Sequence, residues 1–205
     1  SPWKARLRNK VPDEGRQPHP EKTLNMDIIM PETTDRKILI SVDVETDGPA
    51  PGMYSMLEIG AVVVEPGLAN GFHGYLAPIS RDYSEEALAI SGRTREETLE
   101  FDAPAVTMKA FAAWLDALPG TPVFVSDNPF DWMFVCWYLW HFEGRNPFGH
   151  SGHNLASLAK GAFWDMNGSI SSLRDAPLDH DALSDARANA RVLLGLAKQG
   201  LKFPA

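Results

Sequence analysis

Apolar positions recur along this chain in a pattern that changes sharply near residue 36. Before that point the sequence is polar, carries several prolines and shows no sustained apolar period. Residues 1–35 are therefore expected to be a flexible N-terminal extension of a domain spanning 36–205. In KILISVDVE, Ile38, Ile40, Val42 and Val44 alternate along the run and predict a central strand with these side chains on one face. MLEIGAVVVEP and GFHGYLAPI, joined by the Gly/Asn-rich PGLANG, predict an antiparallel hairpin. SEEALAISG and APAVTMKAFAAWLDALPG predict helices, the second stopped by Pro119-Gly120.

TPVFVS is a short, continuous apolar strand, and Asn128-Pro129 has the cap-then-first-turn order that opens a helix. That helix, PFDWMFVCWYLWHF, is apolar on nearly every side. Deep burial follows as the expectation, with Trp132, Trp137 and Trp140 filling the core. HSGHNLASLAKGAFWDMNGS reads as loop-rich. LSDARANARVLLGLAKQG places Leu183, Ala186, Ala190, Leu193 and Ala197 in a helical stripe and predicts the last helix. Strand, hairpin, helices, strand, helix, helix is an α/β order with a mixed central sheet.

Composition narrows the function classes. A chain of 205 residues is long enough for one sizeable core and one catalytic domain. No apolar run approaches bilayer-spanning length and no secretory pattern is visible, so no membrane partner is expected and a cytoplasmic location is the simplest reading. Cys136 is the only cysteine and sits in an apolar stretch, which makes it a core residue rather than a nucleophile. The net charge of −8 argues against broad, charge-driven coating of nucleic acid. It leaves open an enzyme that handles one strand end, where metal ions supply the positive charge that phosphates require.

Three acidic clusters carry the candidate chemistry. In ISVDVETDGP, Asp43 and Glu45 point the same way because side chains alternate across a strand. Two carboxylates so placed are either a solvated strand end or a seat for a hard divalent cation. Asp47 reads as the turn residue of Asp-Gly. In VSDNPFDWMF, Asp131 falls in the first helical turn, and an acid in a buried helix needs a partner. In LDHDALSDARANA, His180 and Asp185 lie five residues apart. They meet only if His180 is in the loop before the helix and Asp185 on its first turns. The pair His150 and His153 with Cys136 is a poor zinc set, having one cysteine and a glycine-rich setting.

Taken in order across one domain, DVETDG, LEIGAVVVE, ALAISGRTREE, PFDW and HDALSDARANA resemble the DEDDh 3′–5′ exonucleases, the family of ribonuclease T, oligoribonuclease and polymerase proofreading subunits. The resemblance covers roughly Lys37 to Gln199. It implies a ribonuclease H-like fold and two divalent cations, Mg²⁺ or Mn²⁺, held by Asp43, Glu45, Asp131 and Asp185, with His180 as general base. It also implies single-stranded nucleic acid with a free 3′ end as substrate, with Thr46 meeting that end and apolar residues near Met53 to Leu57 wedged against the last base. Tyr54 and Phe130 are the aromatic candidates for stacking. The family often carries His-Asn shortly before the middle acid. Here Ser126-Asp127 stands there, so Asp127 or Asn128 would take the place of the substrate-contacting asparagine. A homodimer is compatible with these expectations. Two rival readings share the pattern: a phosphodiesterase for short or signalling oligonucleotides, and a binding module that holds nucleic acid or protein without cleaving it.

Overall fold

The structure, a computed structural model, describes residues 36–203; the extension expected over residues 1–35 lies outside the described residues. Its five-stranded sheet has the order β3-β2-β1-β4-β5. β1 (Lys37–Thr46) is the middle strand, and β2 (Met56–Val63) and β3 (Gly71–Tyr75) extend the sheet antiparallel on one side. β4 (Thr121–Ser126) and β5 (Gly152–Asn154) extend it parallel on the other. The mixed α/β sheet expected from the sequence is present, with the predicted central strand at its centre.

Alternation along β1 divides the molecule. Ile38, Ile40, Val42 and Val44 enter the main core, where Phe111 and Leu115 of α3 (Pro104–Asp116) and Phe134 and Tyr138 of α4 (Pro129–Glu143) cover them. Ser41, Asp43 and Glu45 face the opposite way, toward α6 (Ala182–Lys198). This helix lies close on the sheet because its buried face is built from Ala182, Ala186 and Ala190.

Gly60, paired with Asp43 across the β1–β2 ladder, is what lets α6 come so near. A Cβ at this position would overlap the backbone of Ala182 and Leu183. Gly60→Ala is expected to force α6 off the sheet at a cost of roughly 1–3 kcal/mol. A thermal melt would show a Tm lower by several degrees.

Three predicted features differ. α4 is deeply buried on one face only: Phe134, Val135, Tyr138 and Leu139 are wholly buried, but Met133 and Trp140 are 40% and 52% exposed, so Trp140 does not fill the core. The sheet reaches only one side of this helix, and apolar composition alone could not show that. The stretch read as loop-rich contains β5 and α5 (Leu155–Phe163). A three-residue strand is too short to show a period, and α5 is set by Asn154, whose side chain accepts from the Ser157 amide at its start. Between α1 (Glu85–Ser91) and α3, Thr94 and Glu97 form a capping box that opens a further short helix, α2 (Arg95–Leu99).

Candidate active site

β1 and β4 are parallel, so their C-terminal ends open at the same edge of the sheet. Asp43 and Glu45 stand near the end of β1. Asn128 caps α4 and Pro129 opens it, which puts Asp131 in the first turn beyond β4. Asp181 caps α6 by accepting from the Ser184 amide, which puts Asp185 in that first turn and leaves His180 in the preceding loop. These five residues, 142 positions apart at the extremes, line one cleft of about 430 Å³.

Within it the contacts are specific. The Val44 amide donates to Asp131 Oδ1 at 3.3 Å, while Asp131 Oδ2 is buried with no hydrogen-bond partner among the described residues. Asp185 accepts from the amides of Asp179 and His180, at 3.1 and 3.2 Å. His180 adopts a left-handed backbone (φ 60°), which turns its ring so that Nδ1 lies 3.5 Å from Glu45 Oε1. Such a conformation is strained for a residue with a Cβ, and here the two amide bonds to Asp185 hold it.

Burial, and then the neighbouring Asp131, Asp185 and Glu45 charges, push the Asp43 carboxyl well above its ordinary range. Burial with Asp185 and Glu58 raises Glu45 to about 8. Burial raises Asp131 to about 7, against the hydrogen bond from Val44. Burial also raises Asp185, opposed by its two amide donors. Four crowded carboxylates with an orphaned buried oxygen form a set that fits hard divalent cations, which take oxygen ligands and relieve the mutual repulsion. Atoms of Glu45, His180 and Asp185 that could ligate lie within 4.8 Å of one another.

The expected substrate contacts divide. Thr46, Asp127 and Phe130 line the cleft, although the Thr46 hydroxyl donates to the Gly48 carbonyl at 3.0 Å. Leu57 does not: it is wholly buried, at the point where the β1–β2 register shifts and Glu58 faces Glu45 while Met56 faces Thr46. Tyr54 is half-buried and sits behind the cleft wall, its ring packed where a Gly48 side chain would otherwise be. Asp127 is bound by Arg174 (2.7 Å), whose same nitrogen also donates to Asn189 Oδ1 at 2.7 Å. The wall opposite comes from α1 and its cap, through Ser84, Glu86, Ala87 and Ile90; the stretch ALAISG entered the family pattern, but no site role was read for these residues.

Two buried acids were also underrated. Asp47 is not merely a turn residue: it is fully buried, accepts from the Ser55 amide, and pairs with Arg95 at 2.8 Å. Glu58 is 1% exposed and binds His73, Arg93 and the Ala182 amide. Burial opposes its charge, yet these donors outweigh burial and hold its carboxyl below the ordinary value. The visible signal was an acid in the middle of an apolar strand, LEIGAVVVE.

Comparison with known proteins places this arrangement. Residues 40–193 match the family described as Exonuclease (RNase T). A 3′-5′ DNA exonuclease of Escherichia coli, Cap18, is 39% identical over 173 residues, covering 78% of this chain and 91% of that protein. The nuclease domain of 3′hExo, a DEDDh family member solved with rAMP, superposes with a TM-score of 0.65 at 13% identity, over 80% of this chain and 92% of that one. Escherichia coli exonuclease I, solved with a dA16 oligonucleotide, superposes with a TM-score of 0.63 at 14% identity, over 80% of this chain and 41% of that one. With its sheet, its converging acids and the loop histidine in place, the chain belongs to the RNase T exonuclease family, has a ribonuclease H-like fold, and is a hydrolytic 3′–5′ exonuclease.

Proposed function

We propose that the protein removes 5′-mononucleotides one at a time from the 3′ end of single-stranded nucleic acid, with two Mg²⁺ or Mn²⁺ ions held by Asp43, Glu45, Asp131 and Asp185. The observation that carries this reading is the convergence of four strained carboxylates, one with an unpartnered buried oxygen, beside a histidine held on a loop. Such ions, when bound, activate water and stabilise the leaving 3′ oxygen.

The remaining work falls to the chain. Glu45 faces His180 Nδ1, which leaves Nε2 to take the proton of the attacking water. Asp185 holds the backbone of that loop through two amides and so sets where the imidazole stands. Phe130 offers the terminal base a ring to stack on, facing the apolar wall of Ala87 and Ile90. Among the described residues no lysine or arginine lines the cleft, which is consistent with a phosphate neutralised by bound cations rather than by side chains. The relative named a DNA exonuclease and the exonuclease I complex with dA16 support single-stranded DNA as a substrate.

The test is a 5′-labelled single-stranded oligonucleotide incubated with the protein and Mg²⁺ or Mn²⁺. A ladder of shortened products is expected, and His180→Ala should lower kcat by about 10²–10⁴-fold, the usual worth of a positioned base. A folded, metal-supplied preparation that leaves RNA and DNA intact would overturn the reading.

A further inference from the structure

We propose that Glu58 is a positioning residue that ties both walls of the catalytic cleft to the central sheet. The inference rests on the exonuclease reading for its consequences, but its structural basis is independent. Glu58 lies on β2 directly across from Glu45 and on the same face. Its Oε1 accepts from His73 Nε2 at 2.7 Å and from the Ala182 amide at 3.1 Å, and its Oε2 accepts from Arg93 at 3.1 Å.

These donors belong to different parts of the site. Ala182 is the first residue of α6, two positions after His180 and three before Asp185. Its amide is one of the unpaired donors at a helix start, and the cap residue Asp181 is already engaged with Ser184. Glu58 therefore fixes where α6 begins and with it where the His180 loop turns. Arg93 directly follows Gly92, the C-cap of α1, the helix whose side chains form the opposite wall. Its guanidinium lies over the Tyr75 ring at 4.7 Å and the Phe101 ring at 5.6 Å, so the ion pair is sterically framed.

A carboxylate is the group this position needs. It offers acceptors in two directions at once, carries the negative charge favoured at a helix N-terminus, and answers Arg93 with an opposite charge. Donor atoms of Glu58, His73 and Asp181 also lie within 4.8 Å of one another. The carboxylate is already bound by three donors including a guanidinium, which makes it a poor cation seat.

A set of substitutions separates positioning from bulk structure. Glu58→Ala frees both walls, and kcat is expected to fall about 10–100-fold, as for loss of an outer partner of a site, with KM rising as well. In Glu58→Gln the amide oxygen still accepts from Ala182 while its NH₂ opposes Arg93. Most of kcat should return and KM should stay high. Arg93→Ala should raise KM and leave kcat within about threefold, since only the α1 wall is released.

Hydrogen exchange supplies a readout without catalysis. Glu58→Ala should speed exchange in both segments 178–186 and 85–99, and Glu58→Gln only in 85–99. Equal kcat in the Ala and Gln variants would overturn the proposal, as would exchange that rises uniformly along the chain. If the wild-type protein cleaves no strand, the exonuclease reading fails alone, and the exchange pattern still decides the role of Glu58.

Discussion

Asp131→Asn is expected to melt higher than the wild-type protein in the absence of metal and to cleave almost nothing in its presence. The substitution is nearly isosteric, and its carbonyl oxygen can still accept from the Val44 amide as Asp131 Oδ1 does. What changes is the second oxygen, which is buried without a partner among like charges. The cost of ionising Asp131 there is plain from its rise to about 7, caused first by burial. Removing one charge relieves Asp43 as well, whose carboxyl is raised in part by Asp131. A gain of about 1–2 kcal/mol would lift Tm by roughly 2–8 °C in a domain of this size. If Asp131 holds a cation as proposed, losing that oxygen should lower kcat on the order of 10³-fold, comparable to losing a central electrostatic group in other enzymes. Melts in EDTA at pH 8 and an oligonucleotide assay with Mn²⁺ check both halves. A variant that melts lower and still cleaves would place the site elsewhere.

The second large effect is a dependence of stability on pH that metal reverses. Glu45 moves from an ordinary value of 4.5 to about 8 in the folded chain, and Asp131 from 3.8 to about 7. Folded values above unfolded ones mean that the folded protein holds more protons through this window. The stability they contribute is fully present below the unfolded values and is lost as pH rises through the folded ones. His73, raised by its hydrogen bond to Glu58, acts in the same direction, while the lowered Glu58 matters only in acid. Metal-free protein should therefore lose Tm steadily from about pH 5 to about pH 8. Divalent cations compete with those protons, so the Tm gained on adding Mg²⁺ or Mn²⁺ should be larger at pH 8 than at pH 6. A metal-free Tm that climbs between pH 6 and 8 would mean that the acids are not confined together as described.

Legibility from sequence varied with how far a signal reaches along the chain. β1 was readable because four β-branched side chains alternate within it, and α6 because its alanines and leucines repeat over 17 residues. The positions of Asp43, Glu45, Asp131, Asp185 and His180 were readable because each is tied to a local boundary (a strand end, an Asn-Pro helix start, a loop before a cap), while a shared role for them came only from the family resemblance. Leu57 was expected beside the motif, yet it lies buried where the β1–β2 register shifts, an irregularity that a residue-by-residue pattern does not reveal. Trp140 was misassigned for a related reason. Hydrophobicity states what a side chain prefers, and only the packing of neighbours decides whether that preference is met.

The sequence alone determined the class of sheet, the order of its principal elements, and the chemistry available at each acidic cluster, since these depend on periodicity and residue type. Tertiary structure decided which of those groups meet. Asp127 lines the cleft yet is bound by Arg174, 47 residues on, and Asp47 is matched to Arg95 at a similar remove. Glu58 reaches Ala182 across 124 residues. No local pattern encodes such partners, because a buried charge is indifferent to where along the chain its donor arises and requires only that folding bring one within reach.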